Sequence, residues 1–219
     1  MRRLASSSLL FVALLVMAVG SASAANLLTN DSFQSGDFTG WTNSTTANGS
    51  YGTGFPAVTG WPLGGSNAAG YNVGEVNFTG LQEGIILTQS FTASAGLLNL
   101  SFDYAALGNP TFGNLEGGVF SLQLDGVSLV TADVGLINAG QLINGNLFVS
   151  TITSAGAHTF GIEITRPFIT LDGVTPWQFV THPSADQGTT TPEPASMLLL
   201  GSGLVGAYLK RRGARPVPG

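Results

Sequence analysis

The chain of 219 residues contains no cysteine. Disulfides, thiolate metal sites and cysteine nucleophiles are therefore excluded. Charge is the second scarcity: Asp, Glu, Lys and Arg make up 9% of the residues, against ~25% in an ordinary globular protein. Helical bundles, coiled coils and charged disordered chains depend on that charge and are excluded with it. Positive charge is scarcest of all. Between residues 26 and 191 the single base is Arg166, facing eleven acids, which leaves a net charge of −10. Such a body repels a phosphate backbone, so nucleic acid is not among its partners. Glycine is what the chain has in excess: 31 residues, about twice the usual ~7%. This composition favours short strands joined by many turns.

The remaining bases flank the two apolar ends. Arg2 and Arg3 precede the apolar run Leu9 to Val19, and small residues then lead to Ala22-Ser23-Ala24. This is the three-part order of a secretory signal with an A-x-A cleavage site. It predicts a signal helix over 1–24, removed after Ala24 and handled by the Sec export machinery. At the other end, Thr191-Pro192-Glu193-Pro194 is followed by a 15-residue apolar run, Ala195 to Leu209, and then by Lys210, Arg211 and Arg212. The run predicts a transmembrane helix over 195–209, short against the ~20 residues that a spanning helix needs. The basic cluster favours the cytoplasmic side, leaving 213–219 as a cytoplasmic tail and the body outside the inner membrane.

The order Pro-Glu-Pro, short apolar helix, Arg-rich end resembles the PEP-CTERM sorting signal, here over 192–212. The resemblance implies processing near Pro192, Glu193 and Pro194 by exosortase, a membrane protease-transpeptidase. It also implies a Gram-negative host that makes exopolysaccharide. The body would be held at the membrane until cleavage, then released to the cell surface or the extracellular space.

From residue 85 onward, apolar and polar residues alternate with period two. Leu98, Leu100, Phe102 and Tyr104 do so, as do Phe120, Leu122 and Leu124, and again Phe160, Ile162 and Ile164. The pattern predicts half-buried strands near 85–92, 97–105, 118–125, 127–134, 146–153, 157–165 and 176–181. Asp125-Gly126 between two such runs is the chemistry of a type I′ hairpin. The fold class that follows is all-β, an antiparallel β-sandwich over 25–182, with a polar linker over 183–191. Residues 37–80 lack alternation but carry Trp41, Tyr51, Trp61 and Tyr71 at ten-residue intervals. Two readings stay open: each ring anchors a loop over the core, or together they form a platform for sugar rings.

The start of the body carries a second resemblance. Residues Asn26 to Phe33, with Gly36-Asp37-Phe38-Thr39-Gly40-Trp41, look like the opening of jelly-roll carbohydrate-binding modules. The closing strands around Leu171-Asp172-Gly173-Val174 and Trp177-Gln178-Phe179-Val180 are similar more loosely. The resemblance implies a galactose-binding-like sandwich, often with a structural calcium. Gln34 stands where that pattern has an acid, and Gly173 where it has a second closing-strand acid.

No metalloprotease, P-loop or serine-elbow motif occurs. His158 opens a strand, as an edge or turn residue would, and His182 lies beside the linker. The acids Asp103, Glu116, Asp125 and Glu163 are scattered, and two of them would suffice for glycoside hydrolysis. Three classes of function follow. The first is a non-catalytic, exported surface or matrix protein associated with extracellular polysaccharide. The second is a calcium-assisted lectin-like module, and the third a glycan-processing enzyme.

Overall fold

The computed structural model describes residues 25–167, 175–188 and 203–204. The signal segment with Ala22 and Ala24 lies outside them. So do Asp172, the Pro192-Glu193-Pro194 motif and the Lys210, Arg211, Arg212 cluster. The chain divides into two units, 1–188 and 189–219. In the second, residues 203–204 are helical. Among the described residues, no helix is long and apolar enough to cross a membrane.

The first unit is an antiparallel β-sandwich. Its strands are β1 (Thr42–Thr45), β2 (Gly49–Ser50), β3 (Ala57–Gly60), β4 (Asn67–Tyr71), β5 (Gly74–Glu75), β6 (Glu83–Ala93), β7 (Gly96–Leu107), β8 (Val119–Leu124), β9 (Val127–Asp133), β10 (Leu142–Thr153), β11 (Gly156–Arg166) and β12 (Trp177–Gln187). One five-stranded sheet has the order β1-β6-β11-β8-β9, and the other β10-β7-β12-β4-β3. Strands β2 and β5 form a small third sheet. The alternating residues explain the two layers. Leu87, Phe120, Leu122, Phe160 and Ile162 from one sheet meet Leu98, Leu100, Phe102 and Val180 from the other in one buried core.

The seven predicted strands are all present. The Asp125-Gly126 turn has φ of 53° and 78°, the two left-handed residues a type I′ turn needs, and it pairs Leu124 with Val127. One boundary is corrected. Residues 183–187, expected in a linker, continue β12 to Gln187. Pro183 is accommodated because the ladder shifts register between Thr181 and Ser184, and a bulge is where a strand tolerates proline.

The four evenly spaced aromatics do not share a face. Trp41 is 7% exposed and Tyr71 fully buried, both within the main core. Trp41 Nε1 donates to the Asn30 carbonyl (3.1 Å), and the Tyr71 hydroxyl donates to Asn43 Oδ1 (2.6 Å). Neither ring is available to stack on a sugar. Tyr51 is partly buried against the same core, whereas Trp61 packs on a separate cluster outside it.

At one end of the sandwich the core is closed by polar side chains. Arg166, at the end of β11, is fully buried. Its Nε donates to the Glu116 carbonyl (2.8 Å), one terminal nitrogen to the Val73 carbonyl (3.1 Å) and the other to Asn114 Oδ1 (2.8 Å). Burial lowers its pKa to about 10, partly offset by Glu116, so the guanidinium stays charged at neutral pH. Gln178 of β12 holds the same loops, accepting from Val73 N (3.0 Å) and donating to the Gly117 carbonyl (2.8 Å). Replacing Arg166 with Met should strand two buried acceptors and one half-buried one, the buried ones each worth about 1–3 kcal/mol. A loss of at least about 3 kcal/mol in denaturant unfolding is expected.

The opposite end carries a second polar fastening. His158 on β11 meets Asp125 Oδ2 through Nδ1 (2.8 Å), and its Nε2 meets the Ser154 carbonyl (3.0 Å) and Thr153 Oγ1 (2.9 Å). The carboxylate, then the carbonyl, favour the charged ring and raise its pKa above the ordinary value. Burial works to raise Asp125, but bonds from His158 and Thr159 outweigh it and hold the carboxyl low. The histidine contribution is complete below its unfolded pKa of ~6.5 and is lost as pH rises through the raised folded value. The Asp125 contribution is lost instead as pH falls through its lowered value. Melting curves should therefore show the wild type losing more stability between about pH 6 and pH 8.5 than His158→Asn does.

Candidate functional site

The outward face of the sheet β10-β7-β12-β4-β3 gathers the chain's unusual surface chemistry. On β12 the pleat sends Val180 inward and Trp177, Phe179 and Thr181 outward. The register sets Trp177 beside Leu107, Phe179 beside Ala105 and Thr181 beside Asp103 of β7. Phe179, Ala105 and Ala68 form a buried cluster on this face, against which Trp61, Leu107, Leu142 and Trp177 pack. Beside it lies a trough of about 450 Å³, lined by Gly54, Phe55, Pro62, Leu107, Trp177 and Phe179, with Ala57, Thr59 and Gly60 of β3 on its flank.

One pleat repeat along from Phe179, about 7 Å, the face turns polar. Asp103 Oδ1 accepts from Asn146 Nδ2 (2.8 Å), and its Oδ2 meets His182 Nδ1 (3.1 Å). Asp103 is 37% and His182 52% exposed by side chain. The bulge in β12 makes this contact. His182 takes φ of 48°, a conformation that costs a non-glycine residue about 1 kcal/mol or more, and its ring turns onto the carboxylate. Thr181 is buried and donates to the Asn67 carbonyl (2.7 Å), fixing the strand before the bulge. The outcome is a fixed, water-accessible acceptor next to an aromatic trough.

The other predicted acids are dispersed. Glu163 accepts from Gln123 Nε2 (2.9 Å) on the other sheet, Asp125 is engaged by His158, and Glu116 accepts from Gly118 N (2.8 Å) in a loop. Each of the four is held by different partners, Asp103 by Asn146 and His182.

The segment suggested for structural calcium does not fit a cation. Asn30 Nδ2 donates to the carbonyls of Asp37 (3.0 Å) and Thr39 (3.1 Å), and Asn30 Oδ1 accepts from Ser35 N (3.3 Å). Gln89 brackets Thr29, accepting from its N–H (2.6 Å) and donating to its carbonyl (2.9 Å). Side-chain amides thus occupy the carbonyls of Thr29, Asp37 and Thr39 that a cation would draw on, and Gln34 Nε2 lies 3.5 Å from the Ser32 carbonyl. Among the described residues, no group of three His, Asp or Glu is placed to hold a metal.

The tail beyond the body matches the family described as PEP-CTERM protein-sorting motif, over residues 190–212. This tail is a PEP-CTERM motif. The PEP-CTERM motif indicates export and C-terminal processing, and it implies exosortase as the processing partner. No curated protein matches the chain. Among solved structures, it is similar to TmCBM61, in complex with beta-1,4-galactotriose, at 14% identity and TM-score 0.48, covering 75% of this chain and 100% of that one. It is similar to TmCBM27, a carbohydrate-binding module of specific mannan recognition, at 15% identity and TM-score 0.46, covering 77% and 97%. A third is the carbohydrate binding module CBM6cm-2 of Cellvibrio mixtus lichenase 5A, in complex with cellotriose, at 18% identity, TM-score 0.31, covering 76% and 98%. At these values the chemistry of the site has to come from the chain's own side chains.

Of the predicted stacking residues, only Trp61 belongs to the outward face. Trp177, Phe179, Asp103, Asn146 and His182 were not singled out as its members. The available signal was two aromatics at alternate positions in a strand, Trp177 and Phe179. If amides replace a cation in the opening loop, EDTA should leave the melting temperature unchanged. Asn30→Ala should lower stability by about 1 kcal/mol in the same assay.

Proposed function

We propose that the body is a non-catalytic, exported module that binds neutral polysaccharide on this outward face, without calcium. The observation that carries the reading is the trough lined by the half-buried Trp177, packed with the buried Phe179, beside the fixed Asp103 carboxylate. Sugar rings present apolar C–H faces to aromatic rings, while their hydroxyls donate to carboxylate and amide oxygens. An open trough admits the interior of a long chain as readily as its end. The PEP-CTERM tail supports an exported setting for this reading: exosortase would cleave near Pro192–Pro194, and the released body would be retained by the polysaccharide it binds. Trp61 contributes from the edge of the same apolar cluster.

Charge supports the neutral class. The one base between residues 26 and 191 is Arg166, and it is buried. A polyanionic glycan would meet carboxylates without a lysine or arginine to pair with.

The test is a pull-down of the protein with the extracellular polysaccharide of its own cell, alongside neutral and uronate-rich polymers, with and without EDTA. Binding should survive EDTA and fall roughly thirtyfold in Trp177→Ala, about 2 kcal/mol. Trp41→Phe, a change in the core, should leave it intact. Binding unaffected by Trp177→Ala, or confined to the uronate-rich polymer, would refute the reading.

A further inference from the structure

Sheet edges expose unpaired N–H and C=O groups, and natural proteins blunt them with shortness, bulges, proline or charge. Three of the four outer edges here are blunted. β1 and β3 are four residues long. β9 is interrupted by a register shift opposite Leu122 and Gln123, with Leu129 as the extra residue, and it ends in the exposed Asp133. β10 has none of these devices. It runs twelve residues, Leu142–Thr153, with unbroken register against β7, and contains neither charge nor proline.

The phase of that ladder is set where Gly108 N donates to the Gln141 carbonyl (2.8 Å). Bonding pairs recur at every second residue, so Ile143, Gly145, Leu147, Val149 and Thr151 bond β7. Leu142, Asn144, Asn146, Phe148, Ser150 and Ile152 turn their backbone groups to the open side. The same six carry their side chains on the trough-bearing face, where Phe148 is 58% and Ile152 82% exposed.

We infer that β10 is an assembly edge, and that its partner is β10 of a second copy of this chain. One antiparallel register satisfies all six outward residues. In it Leu142 faces Ile152 of the other copy, Asn144 faces Ser150, and Asn146 faces Phe148. Leu147 lies on the two-fold axis against its counterpart. Leu142 with Ile152 is apolar against apolar and Asn144 with Ser150 is amide against hydroxyl, while Asn146 meets the Phe148 ring on either side of the axis. Two bodies of like negative charge repel, and β10, which carries no charged residue, is an edge along which they can meet without opposing carboxylates from the paired strands. The two-fold axis stands perpendicular to the joined sheet, so both copies of the outward face point the same way. If that face binds polysaccharide as proposed, the dimer would engage one polymer twice.

The absence of native cysteine makes the register directly testable in the full chain, kept in detergent solution. A 1:1 mixture of Asn146→Cys and Phe148→Cys chains should form a disulfide-linked heterodimer under mild oxidation. Linkage in the mixture should run about tenfold faster than in either variant alone, because only the mixture places two thiols opposite each other. Wild type should sediment as a reversible dimer at about 100 µM. Asn144→Pro removes an N–H that its own sheet does not use, so it should keep the wild-type circular dichroism and melting temperature while sedimenting as a monomer. A monomeric wild type, no preference for the mixed pair, or a dimer that survives Asn144→Pro in a folded protein would each overturn the inference. Loss of polysaccharide binding in Trp177→Ala would leave these results unchanged.

Discussion

A buried guanidinium holds the loop end of this sandwich together. Arg166 binds the loop at Val73 and the loop at Asn114–Glu116 to the last residue of β11, and Gln178 fastens the same loops to β12. A charge in such a place is costly unless its hydrogen bonds are made, and among the described residues no buried side-chain polar atom lacks a partner. The guanidinium suits the task because its planar fork serves three acceptors lying in different directions. Gln178 stands between Trp177 and Phe179, with its side chain on the opposite face of the strand. The polar plug inside therefore sets the position of Trp177 and Phe179 on the other face of the strand.

The outward face divides its labour along the strand direction. Its aromatic end supplies contact area and its polar end supplies direction, and the β12 bulge brings them within one pleat repeat of each other. The strained backbone at His182 is the local cost of that arrangement. The well-bonded strand on either side of the bulge, with Thr181 buried, keeps it in place.

Much of this architecture was legible in the order of residues. Alternation revealed β7, β8 and β11 because their apolar residues at every second position enter one core, and the Asp125-Gly126 turn declared a hairpin through its left-handed residues. The region 37–80 was opaque for a physical reason: β1 pairs with β6 and β4 with β12, so the partners that make these segments strands are distant in sequence. Glycines there also carry no side chain to alternate. Even spacing of Trp41, Tyr51, Trp61 and Tyr71 misled, since spacing by ten keeps one face only along an uninterrupted strand, and turns intervene between each pair. Pro183 read as the end of order because proline usually stops a strand, and the bulge that admits it leaves no mark in composition. The site was hidden similarly. Asp103 stood on a polar face among other solvated carboxylates, and its union with His182 depends on a strand arriving from 79 residues away.

The location of Arg166 has a consequence for survival outside the cell. Trypsin-like proteases need an accessible lysine or arginine, and they cleave poorly when proline follows. The body has no lysine, and its one arginine is both buried and followed by Pro167. Such an enzyme finds its targets only at the two ends of the chain, among Arg2 and Arg3 or from Lys210 onward. The same scarcity of positive charge that shapes what the sandwich can bind also leaves it without a place for that class of enzyme to begin digestion.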